Sequence, residues 1–237
     1  MLQVRELRKA FRSPDGPASV VVDVPAFELA AGEQAALVGS SGSGKTTLLH
    51  LLAGILGADT GKIVYTLGGG KQVDLCGLSE AARDRFRGQH IGYIFQTHHL
   101  LPGLSARENV MLGMSFTGRR ADKKWAEHLL ERVGLGHRLR YRPGQMSVGQ
   151  QQRVAVARAL ANRPALVLAD EPTGSLDAVN AQATLGLIRE LCAEVKAGLI
   201  LVTHDLSIAG QLSRRVELGE INRAAHGPVA VSGGGAA

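Results

Sequence analysis

Long apolar runs are absent from the sequence. The most leucine-rich stretch, residues 48–56, is interrupted by His50 and is too short to span a bilayer. The N-terminal residues 1–6 lack the apolar core of a signal peptide. We therefore expect a protein that stays in the cytosol and acts on a membrane only through a partner.

Cysteine is scarce, and the positive charge is dispersed. The two cysteines, Cys76 and Cys192, lack the spacing of metal ligands, which favours a reducing compartment over a disulfide framework. The net charge of +6 is spread along the chain, with a loose cluster at residues 138–142 in which Tyr141 is the aromatic residue. A nucleic-acid partner is therefore not expected.

The sequence does contain a complete phosphate-binding loop of the pattern G-x-x-x-x-G-K-[ST]. With the residue that follows the pattern, the loop comprises Gly39, Ser40, Ser41, Gly42, Ser43, Gly44, Lys45, Thr46 and Thr47. Residues 34–38 before it predict a buried strand, and residues 48–56 after it predict a helix that stops near Gly57. The loop thus joins a strand to a helix N-terminus, where free backbone N–H groups bind anions. Lys45 is expected to reach the β- and γ-phosphates, and the Thr46 hydroxyl to ligate Mg²⁺.

The order of the predicted elements indicates an α/β fold with a mostly parallel sheet, built as a P-loop NTPase core. Core strands are predicted at residues 34–38, 91–95, 166–169, 199–203 and 216–221. An N-terminal antiparallel β flap is predicted from the alternating segments at residues 2–7, 20–24, 61–65 and 73–75. Helices are predicted at residues 79–87, 147–161 and 177–196.

Helical patterns also follow the core strand at residues 91–95. Ser105 and Glu108 have the spacing of a capping box, which marks a helix start. We predict an inserted α-helical lobe at about residues 97–162, within one domain of residues 1–226. Residues 227–237 are predicted to be a disordered tail because they are rich in small residues.

Polar residues follow three of the predicted core strands. Gln96, Asp170 and His204 each come directly after a strand, and ligands of parallel sheets bind at the carboxyl ends of strands. Asp170 after an apolar strand suits the binding of Mg²⁺. Glu171, the next residue, is placed to orient and deprotonate the water that attacks the γ-phosphate. The sequence therefore predicts a nucleotide-hydrolysing site at this edge of the sheet.

Up to about residue 221, these motifs resemble the ATPase subunit of an ABC transporter. The similar segments are residues 39–46 (Walker A), Gln96 (Q-loop), residues 147–150 (signature motif), residues 166–171 (Walker B), residues 175–177 (D-loop) and His204 (switch histidine). The resemblance implies catalytic roles for Gln96, Glu171 and His204, with Gln96 as a further ligand of Mg²⁺. It also implies that Phe11 stacks on the adenine of ATP.

The resemblance implies two partners. Two copies of the chain would pack head to tail, with ATP between the phosphate loop of one copy and Ser147, Gly149 and Gln150 of the other. A helix start at Ser147 agrees with a second anion site. A membrane permease would insert a coupling helix at the Gln96 segment and the lobe, which would place the protein on the inner face of the cell membrane.

Within this family, several segments are similar to the lipoprotein-release and macrolide-export ATPases. They are residues 91–96, 100–104, 108–110, 150–153 and 171–177. We expect a subunit that drives a separate permease in export or in lipoprotein or lipid extraction. The cell-division ATPases share much of the pattern, so the alternative is an ATPase that regulates cell-wall or division machinery through a membrane partner. A DNA-repair or translation ATPase is disfavoured, since long coiled coils, a tandem ATPase domain and zinc-binding cysteines are absent.

The signature motif departs from the family at Val148, where a glycine is usual. A β-branched residue tolerates a positive φ badly, whereas at a negative φ the cost is small. We predict weakened but not absent ATP turnover, which Val148→Gly should increase. The segment at residues 216–220 also looks shorter than the final hairpin of the family.

Overall fold

The computed structural model describes residues 1–12, 18–117 and 121–226. Its strands are β1 (Leu2–Arg12), β2 (Ala18–Leu29), β3 (Gln34–Val38), β4 (Thr60–Thr66), β5 (Gln72–Asp74), β6 (Ile91–Ile94), β7 (Leu166–Asp170), β8 (Gly198–Thr203) and β9 (Arg214–Glu217). Its α-helices are α1 (Lys45–Leu52), α2 (Glu80–His90), α3 (Ala106–Met114), α4 (Lys123–Arg132), α5 (Val148–Ala159), α6 (Ala178–Glu194), α7 (Leu206–Ala209) and α8 (Leu218–Ile221). The predicted tail at residues 227–237 lies outside the described residues.

Two sheets form the framework. Strands β6, β7, β8, β3 and β9 lie in that order in a five-stranded sheet whose neighbouring strands are parallel. Strands β2, β1, β4 and β5 form a four-stranded antiparallel sheet in which Val4 pairs with Phe27 on one side and Ile63 on the other. The predicted α/β class, with a parallel core and an antiparallel flap, is confirmed.

Strand burial follows the apolar pattern of the sequence. Every residue of β7 and β8 is buried, as expected for central parallel strands covered by helices on both faces. Strand β1 starts with buried Leu2, Val4 and Leu7 and then continues as a more exposed ribbon to Arg12. Its polar second half explains why the apolar pattern predicted only residues 2–7.

Two predicted element boundaries are wrong. Helix α1 ends at Leu52, because Gly54 adopts a left-handed backbone with φ of 67°, so Gly57 is not the stop. The last predicted strand stops at Glu217, and residues 218–221 form α8 instead of extending it. As a result, Asn222 turns back towards the phosphate loop.

Between β6 and β7 the chain forms α3, α4 and α5. Helix α3 begins with the predicted capping box, in which the Ser105 hydroxyl accepts from the Glu108 N–H and the Glu108 carboxylate accepts from the Ser105 N–H. Leu129, Leu130 and Val154 are fully buried or nearly so among these helices. The limits of the lobe at about residues 97–162 stay a prediction. Among the described helices, none combines the length and apolar composition that crossing a membrane requires.

Candidate active site

A cleft of about 600 Å³ lies where the phosphate loop meets the carboxyl ends of β6, β7 and β8. The residues that line it are Val21, Ser41, Gly42, Gly44, Lys45, Thr46, Thr47, Gln96, Asp170, Glu171 and His204. Residues that are far apart in the sequence thus share one cavity. The parallel register explains this, since β7 and β8 lie side by side with Asp170 opposite Val202.

The phosphate loop is shaped by glycines and contains the buried side chain of Lys45. Gly44 caps α1 with a φ of 94°, and a Cβ there would lie 2.7 Å from the carbonyl oxygen of Val21. The Lys45 ammonium donates to the carbonyl oxygens of Gly39 and Ser40, each at 2.7 Å. The Ser43 hydroxyl is buried and has no hydrogen-bond partner among the described residues. An ammonium, a helix N-terminus and an unpaired hydroxyl together form a donor set that fits a phosphate group.

Asp170 and Thr46 form an oxygen pair beside the loop. Asp170 is 8% exposed, and burial raises the pKa of its carboxyl, while a hydrogen bond from the Thr46 hydroxyl acts in the opposite direction. A hydroxyl next to a carboxylate supplies only oxygen ligands, which a hard divalent cation prefers. A cation at this position would also offset the cost of burying the ionised carboxylate.

Glu171 and His204 are in contact at the open side of the cleft. Oε2 of Glu171 lies 2.9 Å from Nδ1 of His204. Since a carboxylate only accepts hydrogen bonds, Nδ1 is the donor. Glu171 has a φ of 43°, in the left-handed region, and its N–H donates to the Val202 carbonyl oxygen at 3.0 Å. Such backbone strain in a non-glycine residue is characteristic of functional sites.

The remaining predicted site residues do not line this cleft. Ser147 caps α5 in a capping box with Gln150, and Gly149 lies in the first turn of the same helix. Phe11 is 42% exposed near the end of β1 and pairs with Ser19, two residues before Val21. Its role in adenine binding stays a prediction.

Val148 does not strain the backbone. It is the first residue of α5, and it is absent from the non-glycine residues with positive φ. Of the two cases considered for Val148, the structure has the one in which the backbone cost is small, and the predicted weakening of turnover stays a prediction. The side chain is 51% exposed, so any effect on turnover has to come from what that side chain contacts in a partner.

Two residues next to the site were missed by the sequence interpretation. Arg158 of α5 donates to the carbonyl oxygens of His98 and His99, each at 2.7 Å. These bonds connect the segment after Gln96 to α5, the signature helix, which begins at the signature motif. In the sequence, Arg158 lies in a helical pattern at a position where an ordinary exposed arginine is equally expected, so the pattern did not single it out. Asn222 hydrogen-bonds the phosphate loop, and no local pattern of the sequence indicates it.

Asp170→Asn is expected to raise the melting temperature of the nucleotide-free protein at pH 7 in EDTA, although it removes a site residue. A carboxyl with a raised folded-state pKa favours the folded state while protonated, and this contribution is lost as the pH rises from its ordinary pKa of 3.8 through the raised value. The neutral amide avoids that loss. In thermal melts at several pH values, the melting temperature of the variant should exceed that of the wild type by an amount that grows towards pH 7. A variant that melts below the wild type at pH 7 would contradict this.

Comparisons with known proteins agree with this geometry. The chain matches the family model of the ABC transporter over residues 22–174. It is 46% identical over 222 residues to the lipoprotein-releasing system ATP-binding protein LolD of Hydrogenovibrio crunogenus, across 93% of this chain and 94% of that protein. It is 48% identical over 189 residues to the LolD protein of Shewanella denitrificans, across 79% of each chain.

Solved structures show the same fold. The dimeric structure of MJ0796, a bacterial ABC transporter cassette, has a TM-score of 0.81 and 30% identity over 92% of this chain and 95% of that one. A dimeric post-hydrolysis state of the same cassette, bound to ADP and Pi, has a TM-score of 0.80 with the same identity and coverage. The chain therefore belongs to the ABC transporter family, as one of its ATP-hydrolysing subunits.

Proposed function

We propose that this chain hydrolyses Mg²⁺-ATP between two copies of itself and drives a separate membrane permease that releases lipid-anchored proteins. The observation that carries the proposal is the convergence of the phosphate loop, the Thr46–Asp170 pair and the Glu171–His204 pair on one cleft. Each of these parts has a distinct task in phosphoryl transfer to water.

The phosphate loop binds and orients the nucleotide. Its backbone N–H groups and the Lys45 ammonium hold the phosphate oxygens, with phosphate oxygens replacing the carbonyl oxygens of Gly39 and Ser40 as acceptors. Thr46, Asp170 and Gln96 would hold Mg²⁺. That ion, when bound, supplies positive charge that neutralises the phosphate oxygens.

Glu171 acts on the water. Its carboxylate faces the cleft, and the contact with His204 fixes its direction. A carboxylate held in this way orients the water and accepts its proton as the water oxygen bonds to the γ-phosphorus and the bond from that phosphorus to the bridging oxygen of ADP breaks. His204 is the more exposed partner, with 67% of its side chain accessible, so it can also contact a group at the open side of the cleft.

The second copy would supply Ser147, Gly149 and Gln150. These residues are at the exposed or half-exposed start of α5, whose first turn contains no acidic residue. The dimeric state of the MJ0796 cassette supports this arrangement. One copy would then bind nucleotide but lack half of the groups that enclose it.

A second groove fits the permease. It has a volume of about 660 Å³ and lies between α2, β6, α3 and α5, with Tyr93, Phe95, Arg85 and Arg158 in its lining. Arg87 in the groove pairs with Asp84, but among the described residues no carboxylate forms an ion pair with Arg85 or Arg158. An amphipathic cytoplasmic helix would pack its apolar face against the two rings, and its acidic residues would pair with the arginines.

The cargo follows from the relatives. The curated relatives quoted above are named for lipoprotein release, and their similarity spans most of both chains. Release of a lipid-anchored protein moves an acyl chain out of a bilayer, which costs about 0.8 kcal/mol for each CH₂ group exposed to water. Coupling to ATP hydrolysis supplies the free energy for such a step. The chain itself would lie on the inner face of the cell membrane, bound through the permease.

The proposal is tested by capture from native membranes. Tagged Glu171→Gln protein is incubated with ATP and detergent-solubilised membranes, and bound proteins are identified by mass spectrometry. We expect a permease with few transmembrane helices and a large external domain, whose reconstitution in vesicles gives ATP-dependent release of a lipid-anchored protein. Recovery of a regulator of cell-wall hydrolases would instead favour the signalling alternative, and recovery of nucleic-acid or ribosomal proteins alone would contradict the proposal.

Reversing the charge of one groove residue tests, in the same capture experiment, whether the permease binds in this groove. Arg85→Glu is expected to reduce permease capture about tenfold or more, because it opposes an acidic helix, while ATP hydrolysis by the free protein stays unchanged. Lys71→Glu is the matched control, since it changes the charge equally at an exposed site near β5 of the other sheet. Equal capture by the two variants would contradict this placement of the permease.

A further inference from the structure

The side chain of Asn222 is buried and contacts the phosphate loop without lining the cleft. It is 1% exposed and directly follows α8. Its amide nitrogen donates to the carbonyl oxygens of Val21 at 3.0 Å and Ser43 at 3.1 Å. Its amide oxygen accepts from the N–H groups of Asp23 at 2.8 Å and Ala224 at 3.3 Å. Both ends of the amide are therefore used, and the nitrogen has to face the two carbonyl oxygens.

The bond to Ser43 sets the direction of the next N–H group. In a trans peptide unit the C=O and N–H bonds point in opposite directions. Because the Ser43 carbonyl oxygen is held towards Asn222, the Gly44 N–H points away from Asn222, and Gly44 lines the cleft. The Gly44 N–H has no acceptor among the described residues, so it is available to an anion.

The Gly44 end of this peptide is packed closely against β2 and Asn222. A Cβ at Gly44 would lie 2.7 Å from the Val21 carbonyl oxygen and 3.3 Å from the Asn222 amide nitrogen. The loop, β2 and the residue after α8 therefore meet at one point. The bonds join segments 179 to 201 residues apart in the chain, so they form only when the whole domain is folded.

We propose that Asn222 is a positioning residue for nucleotide binding, which holds the Ser43–Gly44 peptide with the Gly44 N–H facing the phosphate. The inference rests on the nucleotide site proposed above and adds a residue to it. In this chain the segment after β9 braces the phosphate loop through Asn222.

Asn222→Asp is the sharpest test, because it keeps the shape of the side chain and replaces the nitrogen donor by an oxygen. That oxygen faces two carbonyl oxygens and puts negative charge behind the phosphate loop. We expect the Kd for ATP to rise about tenfold, while kcat at saturating ATP stays within about twofold of the wild type. Asn222→Ala, which removes donor and acceptor together, should raise the Kd in the same direction. The Kd is measured by isothermal titration in the Glu171→Gln background, where ATP is hydrolysed too slowly to disturb the titration.

Asn109→Ala is the matched control. Asn109 is 0% exposed, and its amide nitrogen donates to the carbonyl oxygens of Leu101, Leu104 and Ser105, so it is an equally buried bridge in a different part of the chain. It should lower the melting temperature about as much as Asn222→Ala and leave the Kd for ATP unchanged.

The outcomes separate the inference from the site on which it rests. If both Asn222 variants melt earlier but bind ATP as tightly as Asn109→Ala, Asn222 is a structural residue only and the inference is wrong. Lys45→Ala should abolish ATP binding in the same titration. If Lys45→Ala still binds ATP like the wild type, the proposed nucleotide site itself is wrong.

Discussion

Glu171→Gln is expected to bind ATP with wild-type affinity and to hydrolyse it about 100-fold more slowly or worse. The carboxamide keeps the size of the side chain and still offers an oxygen to Nδ1 of His204, so the cleft keeps its shape. It cannot take the proton of the attacking water. Binding should therefore survive while the chemical step is lost.

Phosphate release and ATP titration measure the two effects separately. Light scattering with ATP should also show dimers of Glu171→Gln, because nucleotide that is bound but not hydrolysed keeps two copies together. Glu190→Gln, on the exposed part of α6, is the control and should hydrolyse ATP like the wild type. Normal turnover by a monomeric Glu171→Gln would overturn the assignment of this residue.

Most of the site could be predicted because each of its parts has a recognisable local sequence pattern. The phosphate loop is one continuous segment, and Asp170 follows an apolar strand whose limits the structure moves by only one residue. Parallel strands bring such positions to one edge whatever separates them in the chain. Short patterns and one topological rule were therefore sufficient to place Gln96, Asp170, Glu171 and His204 together.

What could not be predicted depends on backbone angles or on distant partners. Gly54 and Gly57 are equally plausible helix stops in sequence, and only the left-handed φ of Gly54 distinguishes them. Whether Val148 strains the backbone depended on the sign of one φ angle, which no sequence pattern reveals. Asn222 has its partners on β2 and on the phosphate loop, far away in the chain, so no window of sequence contains its pattern.

Gly149→Asp is expected to reduce ATP hydrolysis about 100-fold or more without unfolding the chain. A side chain at Gly149 has room, since the nearest atom to its Cβ is a methyl carbon of Leu176 at 3.8 Å. An acidic residue in the first turn of α5 also suits the helix dipole, so stability should not fall. The carboxylate would, however, repel the phosphate of the nucleotide bound to the second copy.

ATP titration and thermal melting should show that Gly149→Asp binds ATP and melts like the wild type. Gly77→Asp is the control, because Gly77 is remote from the signature helix and has nothing within 4 Å of its Cβ position. It should hydrolyse ATP normally. Full activity in Gly149→Asp would mean that the start of α5 does not contact nucleotide.

The central claim is that a complete ATP site joins the phosphate loop of one copy to the signature helix of another. ATPase activity of an equal mixture of Lys45→Ala and Gly149→Asp proteins tests it most directly. A mixed dimer carries both changes in one site and neither in the other. About half of the dimers are mixed and each has one intact site of two, so the mixture should regain about one quarter of the wild-type rate, although each variant alone is inactive. No recovery from two folded variants would contradict a shared site.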